Sequence, residues 1–281
     1  MEKVHIVVDI AKCVGCFNCM LSCKDEHVGN SWPPYTDEQQ KHEQKWINPD
    51  KYERGKAPFT EVCYVTKFCQ HCENAPCLSA RPDVFSKRDD GIVLIDMHKA
   101  QGDKSILNAC PYGRVSWNDE LETAQKCTLC AHLLDSGWNE PRCVHACPLR
   151  ALSLVKCEDS EFENIIRGNK LKPLVEGNYR PRVMYKNLYK YDTCFIAGTL
   201  VYRDGDIDRA ASDALVELRL NTELLTEVKT DFFGEFKIDR IPKNSGTFEL
   251  TCILAGHKPI VANVTVCDDS PCLEPMFFKK A

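Results

Sequence analysis

The chain has 281 residues, a formal net charge of −5 and a pI near 5.9, and 18 of its residues are cysteine. The acidic balance excludes a broad basic surface for nucleic acid. The lack of any apolar run of about 18 residues excludes a membrane-spanning helix. The cysteines bunch with ligand-like spacing, which points to metal and to a compartment that keeps thiols reduced. No signal-peptide pattern precedes the first of them, so the cytoplasm is the expected location, unless a partner with an export signal carries the chain along.

Val4 to Ile10 predicts a short β-branched strand delivering the first run, Cys13-Val-Gly-Cys16-Phe-Asn-Cys19-Met-Leu-Ser-Cys23. Three cysteines at every third position and a fourth after three more residues suit a thiolate cage for a 4Fe-4S cube, the fourth ligating a second cube. Zinc favours separate pairs of Cys-x2-Cys or Cys with His. A polar insertion, residues 24–61, follows with Trp32-Pro-Pro-Tyr35 and Trp46. It reads as a surface excursion packed on the core by its aromatics, with partner docking as the other reading.

The second run, Cys69-x2-Cys72-x4-Cys77-x3-Arg81-Pro82, has arginine in its fourth slot, and arginine cannot ligate iron. A third run shows only by comparison within the chain. Moving the first run forward by 87 positions puts Asp9 on Asp96, Lys12 on Lys99, Gly15 on Gly102 and Cys23 on Cys110. Cys13, Cys16 and Cys19 fall on Ala100, Asp103 and Ile106, so three ligands are lost. The fourth run is complete: Cys127-x2-Cys130-x12-Cys143-x3-Cys147-Pro148. Alternating run types predict a duplicated bacterial-type two-cluster ferredoxin domain.

Runs in a two-cluster ferredoxin exchange fourth cysteines. Nested pairing, first run with fourth and second with third, groups Cys13, Cys16, Cys19 and Cys147. It also groups Cys127, Cys130, Cys143 and Cys23, and Cys69, Cys72, Cys77 and Cys110. A fourth site, at Ala100, Asp103, Ile106 and Arg81, loses every ligand at once. Sequential pairing would face Cys13, Cys16 and Cys19 with Arg81 and strand Cys147. The nested scheme, favoured here, implies three 4Fe-4S clusters, or roughly twelve irons per chain. Cys63 remains a rival to Cys110. Arg81 is placed to supply positive charge or a salt bridge in the dead site, with Asp103 as its available partner.

Ala151 to Lys156 predicts a closing strand, and residues 158–182, polar with Gly and Pro, an irregular connector. The expected domains are 1–156, the ferredoxin domain; 157–194, a wrapping connector; and 195–281, a small all-β sandwich of short strands between turns, giving an α+β chain. Val216, Leu218 and Leu220 alternate with Glu217 and Arg219 as a half-buried strand does. Asp204, Asp206 and Asp208 open like a calcium loop, but Arg209 and Leu215 stand where Gly and Glu are needed, so a solvated turn is expected. Cys157, Cys194, Cys252, Cys267 and Cys272 match no ligand spacing and read as free or buried thiols. His71 and His145 read as packing or outer contacts. No catalytic set is visible.

Residues 1–190 resemble the iron–sulfur subunit of the molybdopterin oxidoreductase family, which includes dimethyl sulfoxide, polysulfide and nitrate reductases. The four-run layout carries the resemblance, with Lys24-Asp-Glu-His-Val-Gly-Asn-Ser-Trp-Pro-Pro34 and Asn108-Ala-Cys-Pro-Tyr-Gly113. It implies an electron wire in a heterodimer. The large partner holds molybdenum in molybdopterin guanine dinucleotide and does the chemistry, while this chain catalyses nothing alone. The chain departs from that family in its lost cluster and its appended sandwich. Thr230-Asp-Phe-Phe-Gly-Glu-Phe236 is similar to carboxypeptidase-regulatory, transthyretin-like modules. Two other readings stay open: an electron-transfer subunit of a respiratory reductase or dehydrogenase, and a non-redox metal-binding or adhesion module.

Overall fold

The β-branched run at the start forms β1 (Lys3–Asp9), with Val4, Ile6 and Val8 buried. The computed structural model describes residues 2–281. It divides into two units: residues up to Lys51 with Cys63–Leu188, and Tyr52–Val62 with Tyr189–Ala281. In the first unit α1 (Asn18–His27) follows β1 and carries Cys19 and Cys23. Within the stretch read as an insertion lies β2 (Asn48–Arg54), paired with β3 (Glu61–Lys67). Trp46 is buried with its ring 4.7 Å from that of His27, and Trp32 stacks on His132 at 4.4 Å. The aromatics therefore anchor this segment to the fold.

The second half of the unit repeats the plan in shorter pieces. It contains α2 (Pro76–Ala80), β4 (Phe85–Lys87), β5 (Val93–Ile95) and α3 (Met97–Ala100). A 3-10 turn at Lys104–Ala109 begins within one residue of where α1 begins, after the 87-residue offset. Next come β6 (Ser116–Asn118), β7 (Thr123–Gln125), α4 (Ala131–Asp135) and α5 (Arg142–His145). β8 (Leu152–Cys157) closes antiparallel on β1, with Lys3 opposite Cys157 and Val8 opposite Leu152.

The segment expected to be an irregular connector, residues 158–182, is only partly so. Its first part forms α6 (Asp159–Asn169), residues 170–182 are irregular as expected apart from a bridge at Lys172, and β9 (Val183–Lys186), just beyond them, pairs parallel to β1, Ile6 opposite Val183. Its apolar residues are few but well placed. Phe162 stacks on the buried His5 ring at 3.8 Å, and Phe162, Leu171 and Met184 share a small core. Arg182, almost fully buried, pairs with Glu73 and with Asp159 at 2.8 Å, so polar residues hold what composition alone read as loose.

In the second unit α7 (Tyr189–Asp192) leads into β10 (Thr193–Asp204), followed by β11 (Ile207–Ala210), β12 (Leu215–Leu220) and β13 (Glu223–Lys229). The chain ends through β14 (Glu235–Pro242), β15 (Gly246–Ile253), β16 (Ile260–Val266) and β17 (Met276–Phe278). One sheet runs β11-β10-β14 with β17 parallel on β10; the other runs β13-β12-β15-β16. Ile196, Leu200 and Phe236 of the first sheet share a core with Val216, Leu218, Leu250 and Val264 of the second. The acidic alternation is a hairpin: Arg203 pairs with Asp208 at 2.9 Å and Arg209 with Asp204 at 3.3 Å across β10 and β11. In the Asp231–Gly234 turn, Asp231 accepts from the amides of Phe233 and Glu235, both at 2.9 Å.

Candidate metal centres

Four loops have the same backbone signature. The residue before the second ligand position is left-handed in each: Gly15 at φ 67°, His71 at 43°, Gly102 at 75° and Leu129 at 54°. That conformation turns successive amides toward one point, a concavity suited to an anionic cluster. It recurs at Gly102, where Ala100, Asp103 and Ile106 stand at the positions that hold cysteine in the first loop. Two of the four carry a non-glycine residue there and bear the steric cost of a left-handed Cβ.

Around the first loop, Cys13, Cys16, Cys19 and Cys147 line one cavity, with Pro49 and Thr66 on its wall. Cys16 is exposed and Cys13 and Cys147 are half-buried, so this is the outermost of the cysteine groups. Cys69, Cys72, Cys77 and Cys110 line a second cavity, whose wall includes Val93 and does not include Cys63. Cys23, on α1, lies among Cys127, Cys130 and Cys143. Burial first, and then the charge of Cys130 and Cys127, holds its thiol far above the usual range. Burial and then Cys130, Cys127 and Cys23 do the same to Cys143.

Cys19 of the first group and Cys72 of the second are pushed the same way. Burial and then Cys13 raise Cys19 to about 12, and burial and then Cys69 raise Cys72 to about 12. Burial also raises Cys127 and Cys130 to about 12 each. The four buried thiols Cys23, Cys127, Cys130 and Cys143 cannot ionise together at neutral pH without a cation to balance them. Such a donor set fits an iron–sulfur cube, which takes four thiolates and lies dry. Backbone amides already point at sulfur: Leu129 N donates to Cys127 Sγ at 3.3 Å and Ala151 N to Cys147 Sγ at 3.2 Å. Arg114 N reaches Cys110 Sγ at 3.5 Å. The two Cys-Pro turns are alike, each with a left-handed residue three after the cysteine, Gly113 and Arg150. Amide–sulfur bonds of this kind raise a cluster's reduction potential.

A family model described as a 4Fe-4S dicluster domain matches residues 60–157. Among curated proteins, the pyrogallol hydroxytransferase small subunit of Pelobacter acidigallici is 40% identical, covering 89% of this chain and 91% of its own. The arsenate respiratory reductase iron–sulfur subunit of a Shewanella species is 28% identical, covering 69% of this chain and all of its own. A putative dimethyl sulfoxide reductase iron–sulfur subunit of Halobacterium salinarum is 33% identical over 57% of this chain and 69% of its own. This chain belongs to the iron–sulfur subunits of the molybdopterin oxidoreductase family.

In this iron–sulfur subunit the fourth loop position is filled by other chemistry. Ala100 and Ile106 are fully buried among Val84, Phe85 and Met97. At the rim, Arg81 pairs with Asp103 and, at 2.9 Å, with Asp83. The two carboxylates neutralise the guanidinium locally, so it acts as a salt bridge. His71 Nδ1 accepts from Val93 N at 3.1 Å and is a packing group, and His145 is exposed. Cys157, Cys194, Cys252, Cys267 and Cys272 are free.

Three residues escaped sequence reasoning. Pro49 and Thr66 come from the β2–β3 hairpin to the first cavity, Thr66 Oγ1 lying 3.7 Å from Cys13 Sγ. No local pattern marks either one. Lys126 is the third: a fully buried lysine, which a charged residue beside a cysteine does not announce.

The two loop glycines give a controlled comparison. A Cβ on Gly15 would lie 2.3 Å from the Tyr64 ring, whereas one on Gly102 meets nothing within 4 Å. Gly15→Ala should lower iron content by about a third, by displacing the outer loop. Gly102→Ala should keep the iron and cost about 1 kcal/mol for its positive φ. Metal analysis with chemical denaturation checks this, and equal iron loss in both variants would contradict it.

Proposed function

We propose that this chain is the electron-transfer subunit of a molybdenum–pterin hydroxytransferase acting on polyhydroxybenzenes such as pyrogallol. In this reading it holds three 4Fe-4S clusters, through Cys13, Cys16, Cys19 and Cys147; Cys23, Cys127, Cys130 and Cys143; and Cys69, Cys72, Cys77 and Cys110. The observation that carries it is the gathering of twelve cysteines into three groups of four, beside a fourth loop with no ligand. The 40% identity to the Pelobacter subunit along nearly both chains supports the particular reaction.

Each cluster, when bound, supplies storage for one electron. The chain's residues supply the rest. Cysteines fix the positions, amides of Leu129, Arg114 and Ala151 stabilise charge on sulfur, and apolar walls exclude water. The group containing exposed Cys16, with exposed Val14 and Leu149 on its cavity wall, offers the contact with the large subunit, where molybdopterin guanine dinucleotide and molybdenum reside. A shortened wire suits a hydroxyl transfer with no net redox change, because no outside acceptor is needed at each turnover. The two-sheet unit is proposed as a transthyretin-like module, and the thiol load suits the reducing cytoplasm.

The test is coexpression with the large subunit. The expected result is a heterodimer with about twelve irons in this chain, molybdenum in the partner, and conversion of pyrogallol to phloroglucinol without an external electron acceptor. Iron near eight or sixteen would reject the cluster assignment. Turnover only with quinol or another external couple would favour a respiratory reductase, which the similarity to the arsenate respiratory reductase subunit keeps as a second reading.

A further inference from the structure

Lys126 is 1% exposed. Burying an ammonium is costly unless its donors and its charge are answered. Its Nζ donates to Val93 O and, at 3.0 Å, to Cys127 O. Those carbonyls answer the donors but not the charge, and among the described residues no Asp or Glu forms an ion pair with it. The two acceptors have telling positions. Val93 is on the wall of the cavity lined by Cys69, Cys72, Cys77 and Cys110. Cys127 belongs to the group with Cys23, Cys130 and Cys143. The two bonds therefore set the ammonium between the two cysteine groups. A negative cluster held by each group would balance it from both sides.

We propose that Lys126 is a shared positioning charge for the two inner cluster sites, raising the reduction potential of both while leaving the outer site, at Cys13, Cys16, Cys19 and Cys147, untouched. This rests on the three-cluster reading. A cube held by four thiolates is negative and becomes more so on reduction, so a fixed cation nearby stabilises the reduced form. Because one ammonium serves two cubes, its removal moves two potentials together. The bonds to Val93 and Cys127 hold it in place, so its effect does not depend on a mobile surface charge.

The test is an EPR-monitored potentiometric titration of the full chain with its clusters, as wild type, Lys126→Gln and Lys126→Arg. The outer cluster is assigned through the altered signal of Cys147→Ser. In Lys126→Gln the equilibrium constant for reduction should fall about tenfold at both inner clusters, ~59 mV for one electron, with the outer cluster unmoved. Lys126→Arg should restore both. Unmoved potentials, equal shifts at all three clusters, or an arginine variant that behaves like glutamine would overturn the proposal. Should Lys126→Gln lose its iron, the wild-type order decides: both inner clusters titrating above the outer one supports it, and either lying below overturns it. Wild-type iron near twelve with unmoved potentials removes only the role of Lys126. A wild-type chain without iron removes the cluster reading as well.

Discussion

Cys23→Ala should drop iron from about twelve to about eight per chain, and the missing cube should be the one at Cys127, Cys130 and Cys143. Cys23 stands in the first run, yet α1 carries it one helical turn beyond Cys19 and toward α5. Ser22 Oγ donates to Arg142 O at 3.4 Å, and Arg142 pairs with Asp25 and Glu26, both at 3.1 Å. These bonds hold α1 against the short helix that bears Cys143. Without Cys23, three buried thiols remain with an incomplete cage. Cys147→Ala should produce the opposite loss, taking the outer cube, and the double variant should retain about four irons. Iron analysis with EPR of each variant reads the outcome. If Cys23→Ala instead empties the site at Cys13, Cys16 and Cys19, the nested pairing is wrong.

The second large effect is a gain. Substituting Arg81→Cys, Ala100→Cys, Asp103→Cys and Ile106→Cys together should raise iron from about twelve to about sixteen. The loop is already turned for it: Gly102 is left-handed, Asp96 accepts from Lys99 N at 3.2 Å, and Asp103 stands at the head of the 3-10 turn. The cost is modest. The Arg81–Asp103 pair is solvent-facing and contributes little. Truncating buried Ile106 costs roughly 1–2 kcal/mol, which cluster ligation would offset. Arg81→Cys alone should leave the iron unchanged, since three ligands are still missing. A folded fourfold variant with no added iron would show that packing around Ala100 and Ile106 has closed the space for good.

Ligand chemistry is local, so much of the candidate site was legible before any fold was known. Cys-x2-Cys spacing, the repeat at 87 residues and the loss of Ala100, Asp103 and Ile106 are properties of short windows. The alternation around Val216 and Leu218 foretold a half-buried strand for the same reason, and β12 buries those two residues. Where side chains meet across the chain, local pattern fell silent. Residues 158–182 looked loose because their apolar content is low, yet within them Phe162 on His5 and the Arg182–Asp159 pair hold a helix at Asp159–Asn169. Burial of Lys126, the arrival of Pro49 and Thr66 beside Cys13, and the company kept by Cys147 and Cys23 are long-range facts. They depend on which surfaces the folded chain takes out of water, and no window of sequence contains both partners.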